Sequence, residues 1–514
     1  MDPGNHAQSS GQRDSIQPAS QLPLACPERN AGQRVCAPAR TTRRVCQASA
    51  NQGAHVDGRV RTARSRADPL ASTHHAVVGR RADRVSAVSC TDGRRPVDLC
   101  ERDGFLYAGP VRIADLVERL GTPLVIFDSE AIIERFYQFV EAFSSLRAMI
   151  CFATESCPNA HILHRLVKRG AALRVRSAIN LERAWLCGAP MGRVVYSGLG
   201  KTDMDIRAAL DGLYSPLFQA GRLVEGKPPY YRGPVGYFSV ETGAELERLA
   251  RLAGGVRIKC RVLVHVSLDC SQERAFGAGP DETIQLFESY ASDPRLHIAG
   301  LRVHLGNAGF LLENMSTAAA RVSSLAERLT DRGFPIEAID MGGGFACDWF
   351  DPSAASPGDY ARTFEEHLLP WVERGVKIIA EPGWSIIAAG SALVSRVLAT
   401  RELDGQPIAA VDAVPSEPGQ DTDRKARLVR TRDRHAHTGT IIFDADIERP
   451  GVHTSLECQL DDFILWPGGG AYARRDCPHA CEVLLENGKV LVIRPRPAAS
   501  EVLGPELESH EVLL

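Results

Sequence analysis

The chain has 514 residues, a hydrophobic fraction of 44% and a formal net charge of -3 at pH 7. This length exceeds one ordinary domain, and the nearly balanced charge gives no indication of binding to nucleic acid or to a membrane surface. No apolar stretch is long enough to span a bilayer, and the first residues lack the basic and apolar regions of a secretory signal. We therefore expect a cytoplasmic protein whose 14 scattered cysteines stay reduced.

The N-terminal part of the chain differs in composition from the rest. It is rich in Arg, Ala, Ser, Gln and Gly, contains few aromatic side chains and has no sustained helical or strand periodicity. Such a segment cannot bury enough apolar surface to offset the entropy lost on ordering, so residues 1–100 are predicted to be a disordered, Arg-rich arm. Either the arm binds an acidic partner, or it is a tail without a binding role, or translation begins further downstream.

From Phe105 onwards, helix and strand patterns alternate along the chain. Residues 113–120 are predicted to form a short amphipathic helix that ends at Gly121, followed by a strand at 123–127. Apolar runs separated by helical patterns then predict the eight parallel strands of a (β/α)8 barrel. These predicted strands are 148–152, 173–175, 194–196, 237–240, 261–266, 298–304, 336–340 and 376–380.

Beyond about residue 390 the pattern changes to that of short strands. Asn487-Gly488 has the composition of a tight hairpin turn. The polar stretch at about 405–438 and the Gly- and Pro-containing stretch at 213–234 are predicted to be surface loops. No cluster of His, Cys or acidic residues has the spacing of a complete metal site, so no metal is expected. The predicted strands of this region are 441–443, 463–466, 482–485 and 490–494.

Several short motifs, in a fixed order, carry a family resemblance. Through them the chain resembles the ornithine, diaminopimelate and arginine decarboxylases (group IV, fold type III), which use pyridoxal phosphate. The resemblance covers about residues 105–503. The motifs are Ser-Gly-Leu-Gly-Lys at 197–201, Phe-Ser-Val-Glu-Thr at 238–242, Val-His-Leu-Gly-Asn at 303–307, Asp-Met-Gly-Gly-Gly-Phe at 340–345, Glu-Pro-Gly-Trp at 381–384 and Gly-Ala-Tyr at 470–472.

The resemblance implies an alanine-racemase-like fold. A (β/α)8 TIM barrel would occupy residues 127–385 and a C-terminal β-domain residues 386–514, with residues 105–126 joining that β-domain. The family usually forms dimers with shared active sites. The expected partner is therefore a second copy of this chain, in a homodimer, or an active paralogue, in a heterodimer, and the expected ligand is a small amino acid or amine.

The resemblance also assigns residues to a cofactor site. The glycine loop would let backbone N–H groups approach the phosphate, which Tyr472 would also contact. Glu381 would face the pyridine nitrogen, His304 would stack on the ring, and Asn307 stands where a serine caps the phosphate. The positions implied for the cofactor are Gly342, Gly343, Gly344, Glu381, Tyr472, Asn307 and Ser177.

Other positions depart from the family pattern. Glu155 stands where the family has the lysine that forms the Schiff base with pyridoxal phosphate, and a carboxylate cannot form an imine. Ile442 stands at the position of the catalytic cysteine, which in the family is contributed from the partner subunit, and Trp384 replaces an arginine that would pair with the phosphate. Further family residues are replaced by Arg174, Asn180, His265, Asn307 and Phe443.

These replacements favour a pseudoenzyme, a subunit resembling a basic-amino-acid decarboxylase that cannot form the imine and acts by binding. The alternative is an amino-acid decarboxylase of altered specificity that holds pyridoxal phosphate non-covalently, with Lys201 and Lys259 as candidate amines for the pocket. Glu155 is predicted to pair with Arg174 or Arg176 on the next strand, and a general base is the alternative role for its carboxylate.

The glycine loop and His304 each have two alternative roles. The glycine loop at 342–344 would bind a phosphate, or its glycines would only close a tight turn between a strand and the next helix. His304 would stack on a bound ring, or it would be a hydrogen-bonded histidine of the protein core. The sequence leaves both alternatives open.

Overall fold

The structure is a computed structural model that describes residues 99–211, 234–268, 277–348, 353–415, 426–430, 439–445 and 452–507. All but the last two residues of the predicted N-terminal arm lie outside the described residues. The same holds for almost all of the predicted loop at 213–234 and for much of the predicted loop at 405–438.

The described chain begins with a small antiparallel sheet followed by an amphipathic helix. The apolar face of this helix packs with Leu124 and Ile126 of the next strand, because Ile113, Leu116 and Val117 recur at helical spacing. The elements are β1 (Leu99–Arg102), β2 (Phe105–Ala108), β3 (Val111–Arg112), α1 (Ile113–Leu120) and β4 (Leu124–Asp128).

Eight parallel strands form a closed barrel in which every strand pairs with its neighbour in chain order and the last pairs with the first. Each of the eight predicted strands overlaps one of them, so the predicted barrel is confirmed. The strands are β5 (Met149–Ala153), β6 (Ala172–Val175), β7 (Val194–Tyr196), β8 (Tyr237–Val240), β9 (Cys260–His265), β10 (Leu296–Arg302), β11 (Ala338–Asp340) and β12 (Lys377–Ala380).

Helices connect the barrel strands and cover the outside of the barrel. Several begin at side-chain caps. Asp128 accepts a hydrogen bond from Ala131 N at 3.0 Å, and Thr242 and Ser356 cap two later helices in the same way. The helices are α2 (Ser129–Ala142), α3 (Ala160–Lys168), α4 (Ala178–Leu186), α5 (Asp203–Asp211), α6 (Gly243–Val256), α7 (Pro280–Tyr290), α8 (Leu312–Thr330), α9 (Pro357–Glu373) and α10 (Trp384–Ile387).

One layer of apolar side chains fills the middle of the barrel, and we call it the interior layer. Strand side chains alternate between the two faces of a sheet, so residues two positions further along a strand also point inward. Charged residues follow the interior layer at this spacing: Arg174 after Ala172 and Asp340 after Ala338. The interior layer consists of Met149, Cys151, Ala172, Val195, Tyr237, Leu263, Ala299, Ala338 and Ile379.

The C-terminal part of the chain forms a second sheet with the strand order β17-β16-β14-β13-β4-β19-β20, and β18 pairs with both β13 and β15. β4 lies inside this sheet, between β13 and β19, so residues 127 and 128 belong to it rather than to the barrel predicted to begin at 127. The strands are β13 (Ser391–Leu403), β14 (Gln406–Val411), β15 (Arg427–Leu428), β16 (Thr440–Asp444), β17 (Val452–Thr454), β18 (Phe463–Pro467), β19 (Cys481–Glu486) and β20 (Lys489–Arg494).

The four strands predicted in this region are present, and Asn487 and Gly488 form the turn between β19 and β20 with φ values of 51° and 71°. The prediction of a loop from about residue 405 is wrong at its start, because Gln406–Val411 pairs with the long strand β13. Two short helices, α11 (Ala473–Asp476) and α12 (Ala499–Leu507), complete the described chain. Among the described residues, every helix is too short or too polar to cross a membrane.

Candidate active site

An ion pair occupies the carboxyl end of β5 and β6. Glu155 lies just after β5, and Arg174 Nη1 donates a hydrogen bond to its Oε1. Arg174 Nε donates to Ser197 Oγ at 2.7 Å. The side chain of Arg174 is 3% exposed and that of Glu155 is 23% exposed. The predicted ion pair is therefore confirmed with Arg174, whereas Arg176 lies beyond the end of β6 and is exposed.

A second, fully buried ion pair joins β10 to the segment after β12. Arg302 Nη2 donates to Glu381 Oε2 at 2.7 Å, and Arg302 Nε lies 3.4 Å from Glu381 Oε1. Arg174 Nε is 3.5 Å from the same Glu381 Oε2. Burial raises the pKa of Glu381, but the positive charges of Arg302 and Arg174 outweigh this and lower the pKa to about 2. Glu381 is therefore an ionised carboxylate that faces two guanidinium groups.

Asp340, the last residue of β11, completes this cluster. Its Oδ1 accepts a hydrogen bond from Gly342 N at 2.8 Å, and its Oδ2 lies 3.3 Å from Arg302 Nε. Burial, and next the negative charge of Glu381, hold the pKa of Asp340 well above its usual range. Asp340 therefore holds its proton more readily than an exposed aspartate does. Two guanidinium groups, those of Arg174 and Arg302, meet the carboxyl groups of Glu155, Glu381 and Asp340 in this cluster.

Arg302 is the member of this cluster that the sequence analysis missed. Its only sequence signal is an arginine at the end of a mostly apolar strand, two residues before His304. Its acidic partners lie at the end of β11 and just after β12, about 40 and 80 positions further along the chain. The pairing follows from barrel geometry, because the carboxyl ends of parallel strands meet at one end of the barrel.

The glycine loop after β11 is packed against protein. Gly342 and Gly344 have φ values of +64° and +104°, and a Cβ at these positions would collide with Val303 O and Gly306 O. A Cβ at Gly343 would come within 2.8 Å of Glu381 O. These close approaches are sufficient to explain why all three positions are glycine, as the alternative of a tight turn predicts. The N–H groups of Gly342 and Gly343 donate to Asp340 and His304, so two of the three donors are already engaged.

His304 forms part of the wall around this loop. Its Nδ1 accepts a hydrogen bond from Gly343 N at 2.9 Å, so the neutral ring carries its hydrogen on Nε2. The side chain is half-buried, and a Cβ at Gly342 would lie 2.8 Å from its Nδ1. In this arrangement His304 is a hydrogen-bonded histidine that supports the glycine loop.

The remaining cofactor positions are spread around the same end of the barrel. Tyr472 N donates to Ser156 O at 2.7 Å, and burial, together with the nearby charge of Glu155, raises the pKa of the Tyr472 phenol to about 12. Ser177 caps α4 through its hydroxyl, and Asn307 lies in a 3-10 turn, Gly306–Phe310. Trp384, at the phosphate-pairing position, packs against Phe310 with ring centroids 5.6 Å apart.

Ile442 is placed in a different part of the molecule. It lies on β16 of the C-terminal sheet, opposite Ala409 of β14 and Val452 of β17. Its side chain is fully buried within the hydrophobic core of its own chain. The structure therefore does not group position 442 with the charged cluster of the barrel.

A buried histidine–glutamate contact lies beside the cluster. His265 Nδ1 at the end of β9 is 3.1 Å from Glu241 Oε2, just beyond β8. Burial raises the pKa of Glu241, but the hydrogen bond and charge of His265 outweigh burial, so the pKa is lowered overall. Glu241 therefore loses its proton more readily than an exposed glutamate does.

The described lysines leave no free amine at this end of the barrel. Lys201 is buried, but its Nζ pairs with Glu245 and donates to Gly198 O at 2.6 Å. Lys259 is exposed and precedes β9, so it lies at the amino end of a barrel strand, and the suggestion that it reaches the pocket is wrong. The remaining described lysines, all exposed, are Lys168, Lys377 and Lys489.

Comparisons with known proteins agree with this fold. The family model for the pyridoxal-binding domain of pyridoxal-dependent decarboxylases matches residues 129–388, and the chain belongs to this family. The diaminopimelate decarboxylase of Aquifex aeolicus is 28% identical over 440 residues, which cover 79% of this chain and 97% of the relative. The diaminopimelate decarboxylase of Pseudomonas aeruginosa is 29% identical over 328 residues, covering 62% of this chain and 73% of the relative.

Solved structures have the same architecture. A crystal structure of a protein from Aquifex aeolicus superposes with a TM-score of 0.65 at 26% identity, covering 80% of this chain and 98% of that protein. A diaminopimelate decarboxylase from M. jannaschii, in complex with L-lysine, superposes with a TM-score of 0.68 at 17% identity, covering 81% of this chain and 99% of that one. The second likeness concerns the fold alone.

Membership of the family implies pyridoxal phosphate as cofactor, but the described residues do not fit its covalent attachment. No described lysine offers a free amine beside Glu155. Both oxygens of Glu381, which would face the pyridine nitrogen, already face Arg302. Two donors of the glycine loop are engaged within the protein, and an aromatic side chain, Trp384, stands at the phosphate-pairing position.

Proposed function

We propose that this chain is a non-catalytic member of its decarboxylase family, a pseudoenzyme that acts by binding. The observation that carries the proposal is the Glu155–Arg174 ion pair. In the family, decarboxylation begins with an amine at this position, which holds the cofactor covalently. Here a carboxylate takes the place of the amine, and a guanidinium group from the next strand neutralises that carboxylate.

A reaction with non-covalently held cofactor is the competing proposal. Retained Glu381, His304, Tyr472 and the glycine loop first suggested it. The contacts of these residues give it little support, because Glu381 faces Arg302 and His304 is bound to the glycine loop. Lys201 is tied to Glu245. These contacts therefore favour the pseudoenzyme over the non-covalent reaction.

The binding partner we propose is a second decarboxylase-like chain, either a copy of this one or an active paralogue. Large apolar side chains are exposed on segments that follow the barrel strands, and Ile179 and Leu311 are 57% and 65% exposed. Leu199 and Met204 are also largely exposed after β7. In the proposed dimer, the second chain would cover these exposed side chains. The mass measured by light scattering tests for a homodimer, and mixing with the tagged paralogue tests for a heterodimer.

The experiment that tests the pseudoenzyme is a visible absorbance titration of the purified full chain with pyridoxal phosphate, beside a measurement of CO₂ release. Diaminopimelate, lysine and ornithine are the substrates to test, because the relatives are named for them. The Aquifex aeolicus diaminopimelate decarboxylase is the positive control. We expect no saturable imine band and no CO₂ release above the protein-free rate.

Two results would contradict the proposal. Robust CO₂ release that depends on pyridoxal phosphate would establish an active decarboxylase. Saturable cofactor binding, followed by a spectral change when an amino acid is added, would support the non-covalent alternative. A chain that binds no cofactor but forms a dimer directs further work to protein partners.

A further inference from the structure

We propose that Arg302 is a built-in cation that occupies the cofactor's side of Glu381, so that the barrel excludes pyridoxal phosphate even when a lysine is present. This inference rests on the proposed function, but it concerns a different strand. Glu155 lies after β5 and Arg302 ends β10, and β11 and β12 separate these strands in the barrel. The absent lysine and the present arginine can therefore be changed independently.

Arg302 contacts both carboxylate oxygens of Glu381. Nη2 donates to Oε2 at 2.7 Å, and Nε approaches Oε1 at 3.4 Å. The side chains are 1% and 0% exposed. A planar guanidinium group suits such a two-point contact with a carboxylate. A pyridinium N–H, which would need one of these oxygens, would have to compete with Arg302 for it.

The same arginine is also held by a second acid. Asp340 Oδ2 lies 3.3 Å from Arg302 Nε, while Asp340 Oδ1 binds the backbone of Gly342. Arg302 thus contacts acidic residues from both following strands, and its position is set by the chain rather than by a ligand. The carboxyl end of the barrel thus supplies its own guanidinium groups, those of Arg174 and Arg302, to the carboxyl groups of Glu155, Glu381 and Asp340.

Displacement of Arg302 would carry a large cost. A guanidinium group moved away from Glu381 would remain buried without its main partner, and breaking a buried ion pair by removing one member is strongly destabilising. Restoring the lysine does nothing to lower this cost. The missing amine and the occupied Glu381 are therefore two separate barriers to the cofactor.

The test uses four full-length variants: Glu155→Lys, Arg302→Ala, the double variant, and Arg135→Ala as matched control. Arg135 is equally buried and pairs with Asp348, but it lies on α2 outside the barrel. One probe is pyridoxine 5′-phosphate, which lacks the aldehyde and reports on the ring site by calorimetry. The other is pyridoxal phosphate, followed by imine absorbance and by the mass of the borohydride-reduced protein.

We expect wild type, Glu155→Lys and Arg135→Ala to bind neither probe saturably. Arg302→Ala should bind pyridoxine phosphate saturably, with a Kd at least about tenfold below the lower limit measured for wild type, a change of about 1.4 kcal/mol. Only the double variant should form an imine with one equivalent of pyridoxal phosphate at position 155. The proposal is overturned if Glu155→Lys alone forms that imine as tightly as the double variant, or if folded Arg302→Ala gains no affinity.

Arg302→Gln is a second variant for the case in which Arg302→Ala does not fold, since it keeps a hydrogen-bond donor beside Glu381. Its Tm should rise with pyridoxine phosphate, and a folded Arg302→Gln whose Tm is unchanged overturns the proposal. If neither variant folds alone, refolding with the probe decides: recovery supports the proposal and no recovery overturns it. CO₂ release by wild type would overturn both the proposed function and this inference, whereas a failure of the Arg302 variants alone overturns only the inference, so the two failures are distinguishable.

Discussion

The interior of the barrel is apolar in its middle and charged at its carboxyl end, although the same strands form both parts. In the middle, Ala338 and Ile379 belong to the apolar interior layer. Two residues further along, Asp340 and Glu381 carry carboxyl groups that face Arg302. The apolar layer is stable through packing alone, whereas the buried charges of the carboxyl end are tolerated only because each has a partner.

This contrast is consistent with the proposed function, in which a decarboxylase barrel does without its cofactor. In an enzyme, a bound ligand can satisfy part of the polar groups at the carboxyl end of the barrel. In this chain, Arg174 and Arg302 satisfy Glu155 and Glu381 from within. The interior layer can stay the same in both situations, because it contacts no ligand.

The largest expected effect comes from removing both acids that face Arg302. The double variant Glu381→Ala/Asp340→Asn would leave that guanidinium buried without the two carboxyl groups that contact it, and we expect a loss of roughly 3–5 kcal/mol in unfolding free energy. Urea denaturation followed by circular dichroism measures it. As control, Glu337→Gln at the amino end of the barrel breaks half-exposed pairs with Arg261 and His297 and should cost less than about 1 kcal/mol. Equal losses of unfolding free energy for these two variants would refute the special dependence of the carboxyl end on its buried ion pairs.

Glu381 should also make the stability of the protein depend on pH. The pKa of Glu381 is about 2 in the folded protein, below its ordinary value of 4.5. Its contribution is therefore fully present above pH 4.5 and is lost as the pH falls towards 2. In acid titrations, wild type should lose stability over this interval more steeply than Glu381→Ala. Equal slopes of stability against pH for wild type and Glu381→Ala would mean that Arg302 and Arg174 do not stabilise the ionised Glu381.

A smaller effect is expected in the interior layer. Ile379→Ala would leave a cavity among apolar neighbours and cost about 2–4 kcal/mol. Because no charge is involved, this loss should be the same at pH 4 and at pH 7, unlike that of the Glu381 variant. Urea denaturation at the two pH values makes the comparison. A loss that varies with pH would indicate that the interior layer is coupled to the charged cluster.

The smallest effect is expected for Asp340→Asn alone. The raised pKa of Asp340 means that the folded state keeps its proton while the unfolded chain ionises above its ordinary pKa of 3.8, which lowers stability as the pH rises. Asparagine cannot ionise and can still accept from Gly342 N. We expect a gain on the order of 1 kcal/mol at pH 7 and no difference near pH 3. A loss at pH 7 would show that Asp340 is ionised in the folded protein.

Local sequence signals predicted much of the fold and part of the site. The eight barrel strands are short apolar runs between helical patterns, so periodicity and length were sufficient to place them. The Glu155–Arg174 pair could be predicted because β5 and β6 are consecutive along the chain and adjacent in the barrel. The long hairpin of β13 and β14 was not predicted, because the exposed part of β13 lacks an apolar alternation.

The sequence by itself determined the family, the barrel and the absence of an amine at position 155, because these depend on residue identity and on local pattern. Only the tertiary structure decided which cation faces Glu381 and Asp340. Arg302 meets Asp340 and Glu381 because barrel closure brings the carboxyl ends of β10, β11 and β12 together. Lys201 likewise finds Glu245 on a later helix, α6. Pairings of this kind depend on distances in space, and no spacing along the chain encodes them.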